Sequence, residues 1–214
     1  MLNTNFKSSG PGRDNLVLEL LNQPVNSAPL NLSNPRPTRD SGVLGPATVS
    51  DYMVFNGFSE GIRFPLHSDW VPQSPRSFEF DVLVDPNHIN NIGSLINLGG
   101  TPDLNGSWNF AFVKTPQPNI RYRQFVGGLP VGMNFIPANL NLQYNQWYRI
   151  MVTIEDPLVI GYLNGVEVWR FSSDLPPATP GSLTIGCDNS LSPSSFFQGR
   201  LRNLRIGNEI FSPK

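Results

Sequence analysis

Two carboxylate residues, Glu79 and Asp81, stand one residue apart in the segment SFEFDVLV, residues 77–84. Apolar side chains alternate with them, which predicts a β-strand that carries both carboxylates on one face. Paired carboxylates can hydrolyse a glycosidic bond, one acting as nucleophile or base and the other protonating the leaving group. The same pattern also fits an exposed polar sheet face, or a face that binds a ligand. We therefore take Glu79 and Asp81 as candidate ligand-binding residues.

Two further pairs of side chains could supply oxygen ligands to calcium. Asp103 and Asn105 fall in one turn-rich segment, and Asp188 and Asn189 fall in another. Calcium takes carboxylate, amide and backbone oxygens, but Asp and Asn are also ordinary turn formers. We name these four residues as candidates for ligand or calcium binding and otherwise expect no cofactor.

Exposed aromatic residues would suit a glycan site, because a sugar ring can stack on them. Trp70 lies in the proline-containing segment HSDWVPQSP and is the best candidate for an exposed ring. Trp108 and Trp169 alternate with other apolar residues, which favours burial, and we expect Trp147 to lie in the core. Arginines recur near the C-terminus in GRLRNLRIG, where they form either a solvated face or a surface for an acidic partner.

The composition excludes several classes of function. Among 214 residues, 15 Lys and Arg face 16 Asp and Glu, for a net charge of −1, which disfavours nucleic acid as the main partner. One cysteine and two histidines leave no disulfide framework and no zinc-ligand spacing. No run of apolar residues is long enough to span a membrane. We expect a protein that binds no nucleic acid and does not insert into a membrane.

Gly and Pro punctuate the chain, with 19 and 21 residues respectively, and short alternating segments lie between them. This pattern predicts many strands, almost no helix and one two-sheet antiparallel sandwich. Asn164-Gly165 and Asn56-Gly57 are each typical of a tight hairpin turn. Residues 1–13 are predicted to form an extended arm, residues 14–214 a single domain, and residues 22–48 a long Pro- and Asn-rich excursion from it.

The second half of the chain resembles a known family. NQWYRIMVTIEDPLVIGYLNGVEVWRF resembles the pattern of laminin-G-like jelly-roll domains, in which a Trp opens a strand and a hairpin follows. SLTIGCDN followed by FFQGRLRNLRIGNEIF resembles the closing strands of the same family. The resemblance extends over residues 14–211 and places the chain in the concanavalin-A-like lectin and glucanase superfamily. It implies an all-β jelly-roll sandwich in which the strand in DNLVLELL pairs near the last strand.

The resemblance also bears on catalysis. Some glucanases of this superfamily carry E-x-D-x-(x)-E on one strand, and in this chain Leu83 and Val84 occupy the two positions allowed for the third carboxylate. Without that proton donor, hydrolysis would lose a factor of about 10²–10⁴. We therefore expect a protein that is not an enzyme; a divergent glycoside hydrolase using Glu79 and Asp81 is the less favoured alternative.

The compartment is predicted from two features together. Laminin-G-like domains usually work outside cells, whereas this sequence has one cysteine and opens without an apolar run of signal-peptide length. Both features fit a virus or bacteriophage protein that is made in the host cytoplasm and displayed on the virion surface. We expect a decoration or fibre-type protein that contacts neighbouring subunits, in a particle or a homo-oligomer, or binds cell-surface glycan, or does both. The alternative is a secreted carbohydrate-binding or adhesion module.

Overall fold

The structure is a computed structural model, and it describes residues 16–20, 42–44, 48–49, 52–67, 75–98, 107–126, 129–136, 141–173, 181–188 and 190–214. The predicted arm, most of the 22–48 excursion, Trp70, Asp103, Asn105 and Asn189 lie outside these residues. The strands are β1 (Leu16–Leu20), β2 (Gly42–Leu44), β3 (Thr48–Val49), β4 (Met53–Asn56), β5 (Gly61–His67), β6 (Arg76–Val84), β7 (Ile92–Leu98), β8 (Trp108–Val113), β9 (Asn119–Val126), β10 (Leu129–Asn134), β11 (Trp147–Glu155), β12 (Leu158–Leu163), β13 (Val166–Ser172), β14 (Gly181–Ile185) and β15 (Gln198–Gly207).

These strands form two antiparallel sheets. Sheet A has eight strands in the order β13-β12-β11-β6-β15-β4-β3, with β1 also paired to β15, and sheet B has seven in the order β10-β9-β8-β7-β14-β5-β2. In the described part of the chain the only helical element is one 3₁₀ turn, Pro193–Ser195. The predicted all-β, two-sheet jelly-roll sandwich is confirmed.

The core lies between the inner faces of the two sheets and is rich in aromatic rings. Phe78 of β6 packs against Trp108 of β8 with ring centroids 4.3 Å apart, and Phe80 meets Phe110 edge-on at 5.1 Å. All four rings are almost fully buried, so burial of Trp108 is confirmed. Because alternate residues of a strand face opposite sides, the residues between these rings face away from the core.

The two Asn-Gly pairs have different outcomes. Asn164 and Gly165 turn β12 into β13 with φ angles of 50° and 81°, as predicted for a tight hairpin. The prediction for Asn56-Gly57 is wrong, because β4 belongs to sheet A and β5 to sheet B. There Oδ1 of Asn56 accepts a hydrogen bond from the backbone N–H of Phe58 at 2.8 Å, and this bond stabilises a turn that leads from one sheet to the other. Turn chemistry sets a local reversal but not the sheet that the next strand joins.

The last strand, β15, pairs with three other strands of sheet A, β6 on one side and β4 and β1 on the other. Its first half pairs with β4 from Gln198 to Leu201, and its second half pairs with β1 from Leu16↔Gly207 to Leu20↔Leu204, with a register shift between Leu16 and Leu18. The expected pairing of the first strand with the last is confirmed. Among the residues described, no helix is long and apolar enough to cross a membrane.

Candidate functional site

Glu79 and Asp81 lie on the outer face of sheet A, but they are not exposed. Each is only 4% accessible, so the expectation of an exposed sheet face is wrong. Arginines from the two flanking strands cover the carboxylates. Arg149 of β11 donates from Nε to one oxygen of Asp81 at 3.0 Å, and Arg202 of β15 donates to the other at 3.1 Å.

A β-bulge in β15 completes this cluster. Arg202 is opposite Asp81 and Arg205 is opposite Glu79, so two residues of β15 lie across from one residue of β6. Asn203 adopts a positive φ of 54° there and donates from Nδ2 to Asp81 at 2.8 Å. Because the bulge shifts the alternation, Arg205 also faces outward and pairs with Glu79.

Trp147 borders the same cluster, so its predicted place in the core is wrong. Tyr148 faces the core, and alternation therefore turns Trp147 to the outer face of sheet A. The guanidinium of Arg202 lies 4.1 Å from the centre of the Trp147 ring, a cation–π contact. Together, Glu79, Asp81, Arg149, Arg202, Asn203, Arg205 and Trp147 form what we call the sheet A ion cluster. Its carboxylates are held in ion pairs with guanidinium groups, and Asp81 also lines a cavity of about 290 Å³ beside Trp147.

A more open site lies on the outer face of sheet B. A cavity of about 580 Å³ spreads over β7 to β10. A second cavity of about 380 Å³ adjoins it and shares Arg121, Arg123 and Pro130 with it. We call the two cavities together the sheet B groove; its polar lining includes Ser94, Asn97, Asn109, Arg121, Arg123 and Asp188.

Strand register places the polar lining of the groove in rows. Asn97 is opposite Asn109, and Asn109 is opposite Arg123 on the next strand. Gly132 of β10 continues this row beyond Arg123. In the neighbouring row Arg121 is opposite Ala111. A Cβ atom at Gly132 would lie 2.9 Å from Cγ of Arg123, so the glycine lets the Arg123 side chain lie close against β10.

The groove contains buried polar atoms without partners. Nε of Arg121 and Oδ1 of Asn109 are buried and form no hydrogen bond in the described structure. Burial, and secondarily the charge of Arg123, lowers the pKa of Arg121 to about 10. Neither arginine pairs with a carboxylate of the described residues. Unpaired buried polar groups are costly, so the groove is suited to a ligand that carries negative charge and hydrogen-bonding groups.

Of the residues singled out as ligand or calcium candidates, Asp188 alone among those described lines the groove. One of its carboxylate oxygens accepts from the backbone N–H of Ser190 at 3.1 Å and from its hydroxyl at 2.7 Å. In the described ranges no group of three or more His, Cys, Asp or Glu residues could hold a metal ion. Calcium binding therefore stays a prediction, as does the role of Trp70.

Trp169 and the single cysteine, Cys187, pack against or within the core. Trp169 is partly buried against the core, and its ring stacks on Tyr122 with centroids 6.0 Å apart. Cys187 is a buried free thiol, and burial raises its pKa to about 12. Asn97, Asn109, Arg121 and Arg123 were not among the residues predicted from the sequence to form a site. The available signal was their alternation with buried residues on adjacent strands, such as Ile96 and Leu98 around Asn97 and Trp108 and Phe110 around Asn109.

Solved structures similar to this chain are binding domains of botulinum neurotoxins. The serotype D binding domain superposes with a TM-score of 0.70 at 15% identity over 92% of this chain and 49% of its own. The serotype D ligand-binding domain, solved in complex with N-acetylneuraminic acid, gives 0.70 at 16% identity over 94% and 49%. The DC binding domain in complex with SialylT gives 0.68 at 12% identity over 92% and 48%. The chain thus spans about half the length of these structures, and at such identities the likeness shows the fold.

Sequence comparison agrees with the structural one. No functionally curated protein matches the chain. The model of the Laminin_G_3 family, described as the concanavalin A-like lectin/glucanases superfamily, matches residues 80–214. This segment includes both the hairpin of β12 and β13 and the closing strand β15. The chain therefore belongs to the Laminin_G_3 family of the concanavalin A-like lectin/glucanases superfamily.

Proposed function

We propose that this domain is a non-catalytic carbohydrate-binding module and that the sheet B groove is its binding site. The observation that carries the proposal is the row Asn97, Asn109 and Arg123 at the floor of a cavity of about 580 Å³. This volume is within the range of about 300–1,000 Å³ typical of small-ligand sites. Amide and guanidinium groups are planar and can bind adjacent sugar hydroxyls in pairs.

The lining of the groove is mixed, as a sugar requires. Ile89, Ile92 and Pro130 line the groove beside its amides and guanidinium groups. Ile89 and Ile92 are exposed to solvent in the protein. Their apolar surface can pack against the C–H face of a sugar ring while the row of Asn97, Asn109 and Arg123 forms hydrogen bonds with its hydroxyl groups. The cavity therefore combines the two kinds of contact that orient a sugar.

The similar solved structures support a binding role. They are named as binding or ligand-binding domains, and two were solved in complex with N-acetylneuraminic acid or SialylT. This chain matches about half of each, so those sugars carry over only as a reason to test glycans. The sheet A ion cluster supports the non-catalytic part of the proposal, because Glu79 and Asp81, the carboxylates that a hydrolase would need, are buried in ion pairs.

The proposal is tested with a glycan array followed by calorimetry of the best ligand. Asn109→Ala removes one amide from the floor of the groove and is expected to weaken binding about tenfold, the effect of one lost hydrogen bond in a buried site. Gln143→Ala is the control, because the exposed amide of Gln143 donates only to the backbone of Asn141. Wild-type affinity in Asn109→Ala, or an array on which the folded protein binds no glycan, would contradict the proposal.

We also infer that the module acts on the surface of a virus particle and contacts neighbouring subunits. The edge of sheet B supports subunit contact, because β10 pairs with β9 and presents Leu129 and Met133 to solvent. An open edge strand with apolar side chains is suited to association. We also assign subunit contact to the arm predicted for residues 1–13, and light scattering of the full chain and of a chain starting at Asn15 tests it. A defined oligomer of the full chain is expected. Its dissociation on truncation would assign the contact to the arm and its persistence to the edge of sheet B, whereas a monomer in both cases would refute subunit contact.

A further inference from the structure

The two arginines of the sheet B groove form a like-charged pair at its centre. Arg121 and Arg123 flank Tyr122 on β9, and since Tyr122 is fully buried, alternation turns both arginines outward. The two arginines are two positions apart on the strand, so their Cα atoms lie about 7 Å apart. Both arginines line both cavities of the groove. A ligand in either cavity therefore meets two positive charges.

The groove contrasts with the sheet A ion cluster, whose arginines have partners. Arg149 and Arg202 each donate to Asp81, and Arg205 pairs with Glu79. The three sheet A arginines are therefore paired with carboxylates. Within the described residues, Arg121 and Arg123 have no carboxylate partner. The described lining of the smaller cavity contains no acidic residue.

Among the described residues that line the larger cavity one is acidic, Asp188, and no described ion pair joins it to Arg121 or Arg123. Asp188 accepts two hydrogen bonds from Ser190 through a single oxygen. The pKa of Arg121 is lowered to about 10, first by burial and then by the neighbouring charge of Arg123. Burial and repulsion both disfavour the charged form of Arg121. An anion bound between the two arginines would stabilise that charged form and so offset both effects.

We propose that the sheet B groove selects acidic sugars and binds their carboxylate between Arg121 and Arg123. This inference rests on the proposed carbohydrate-binding function and names its ligand class. A planar carboxylate fits the fork of a guanidinium group with two parallel hydrogen bonds. Asn97 and Asn109 lie in the row of Arg123 and are placed for the hydroxyl or amide groups of the same sugar.

The experiment uses the full chain and an array with sialylated, uronic-acid-containing, sulfated and neutral glycans. Calorimetry then compares the best acidic glycan with its neutral parent, for example sialyllactose with lactose. We expect the acidic glycan to bind at least about tenfold more tightly, in line with hydrogen bonds to a charged group. Binding should weaken with added salt, because partly exposed charges are screened.

Two charge-removing variants test the residues. Arg121→Gln should lose at least about tenfold in affinity for the acidic glycan and little for the neutral one. Arg123→Gln also removes a member of the row with Asn97 and Asn109, so it should weaken binding of both glycans, and of the acidic one more. Arg170→Gln is the matched control, since Arg170 lies on sheet A in an exposed pair with Glu167. Thermal unfolding of each variant shows that it is folded before affinity is measured.

The outcomes separate this inference from the proposed function. Equal affinity for acidic and neutral glycans, both lost in Asn109→Ala, would overturn the selection of acidic sugars and leave the carbohydrate site in place. Preference for sulfated over carboxylated glycans would retain an anion site but overturn the carboxylate. Failure of the folded wild-type protein to bind any glycan would overturn both proposals.

Discussion

Neutralising Asp81 should destabilise the domain, although this residue lies outside the sheet B groove. The change Asp81→Asn keeps the shape of the side chain and removes its charge. Asp81 accepts from Arg149 at 3.0 Å, from Arg202 at 3.1 Å and from Asn203 at 2.8 Å. All three partners come from other strands, so the lost interactions are tertiary ones.

The magnitude follows from the exposure of the partners. A hydrogen bond to a charged group contributes about 1.5–3 kcal/mol when it is shielded from water. The side chains of Arg149 and Arg202 are 38% and 36% exposed, so water replaces much of what each guanidinium loses. We assign about 1 kcal/mol to each of these two bonds and little to Asn203, which can still donate to an amide oxygen. The expected loss in free energy of unfolding is about 2 kcal/mol, which lowers Tm by about 4–8 °C in a domain of this size.

Urea unfolding followed by tryptophan fluorescence, together with calorimetric Tm, measures this loss. Glu167→Gln is the control, because it removes a carboxylate from an exposed pair with Arg170 and should change Tm little. A double-mutant cycle of Asp81→Asn and Arg202→Gln should be non-additive by at least about 0.5 kcal/mol, since the two side chains are in contact. A Tm for Asp81→Asn equal to that of the control, or an additive cycle, would show that the ion cluster does not stabilise the fold.

Three further predictions concern the interior. Burial lowers the pKa of His88 to about 4, so the neutral ring favours the folded state above about pH 6.5 and this stability is lost as the pH falls towards 4; His88→Gln should show a smaller drop in Tm between pH 7 and pH 4.5. Because the pKa of Cys187 is raised to about 12, a thiol reagent at about pH 8 should label it only after denaturation. Gly161→Ala would place a methyl group against the Trp169 ring, and we expect it to cost about 1–3 kcal/mol and to shift the tryptophan emission.

The sequence by itself determined the fold class and the family of this chain. Alternation in residues 77–84 and the Asn164-Gly165 turn are local features, and local sterics and hydrogen bonding are enough to make a strand and a hairpin from them. Burial of Trp108 follows from a similar alternation within β8, where Trp108, Phe110 and Phe112 share one face. The pairing of β1 with β15 came from the family resemblance, since nothing local in residues 16–20 selects a partner nearly two hundred residues away.

Only the tertiary structure decided the surroundings of Glu79 and Asp81. Their burial depends on arginines about 70 and 120 residues away in sequence and on the bulge at Asn203, which no alternation pattern reveals. The sheet B groove has the same origin. Asn97, Asn109, Arg123 and Gly132 lie on four strands, and each looks like an ordinary solvated residue until register aligns them in one row. Strand pairing is set by the packing of the whole core, so the residues of such a site come together only when the sheet forms.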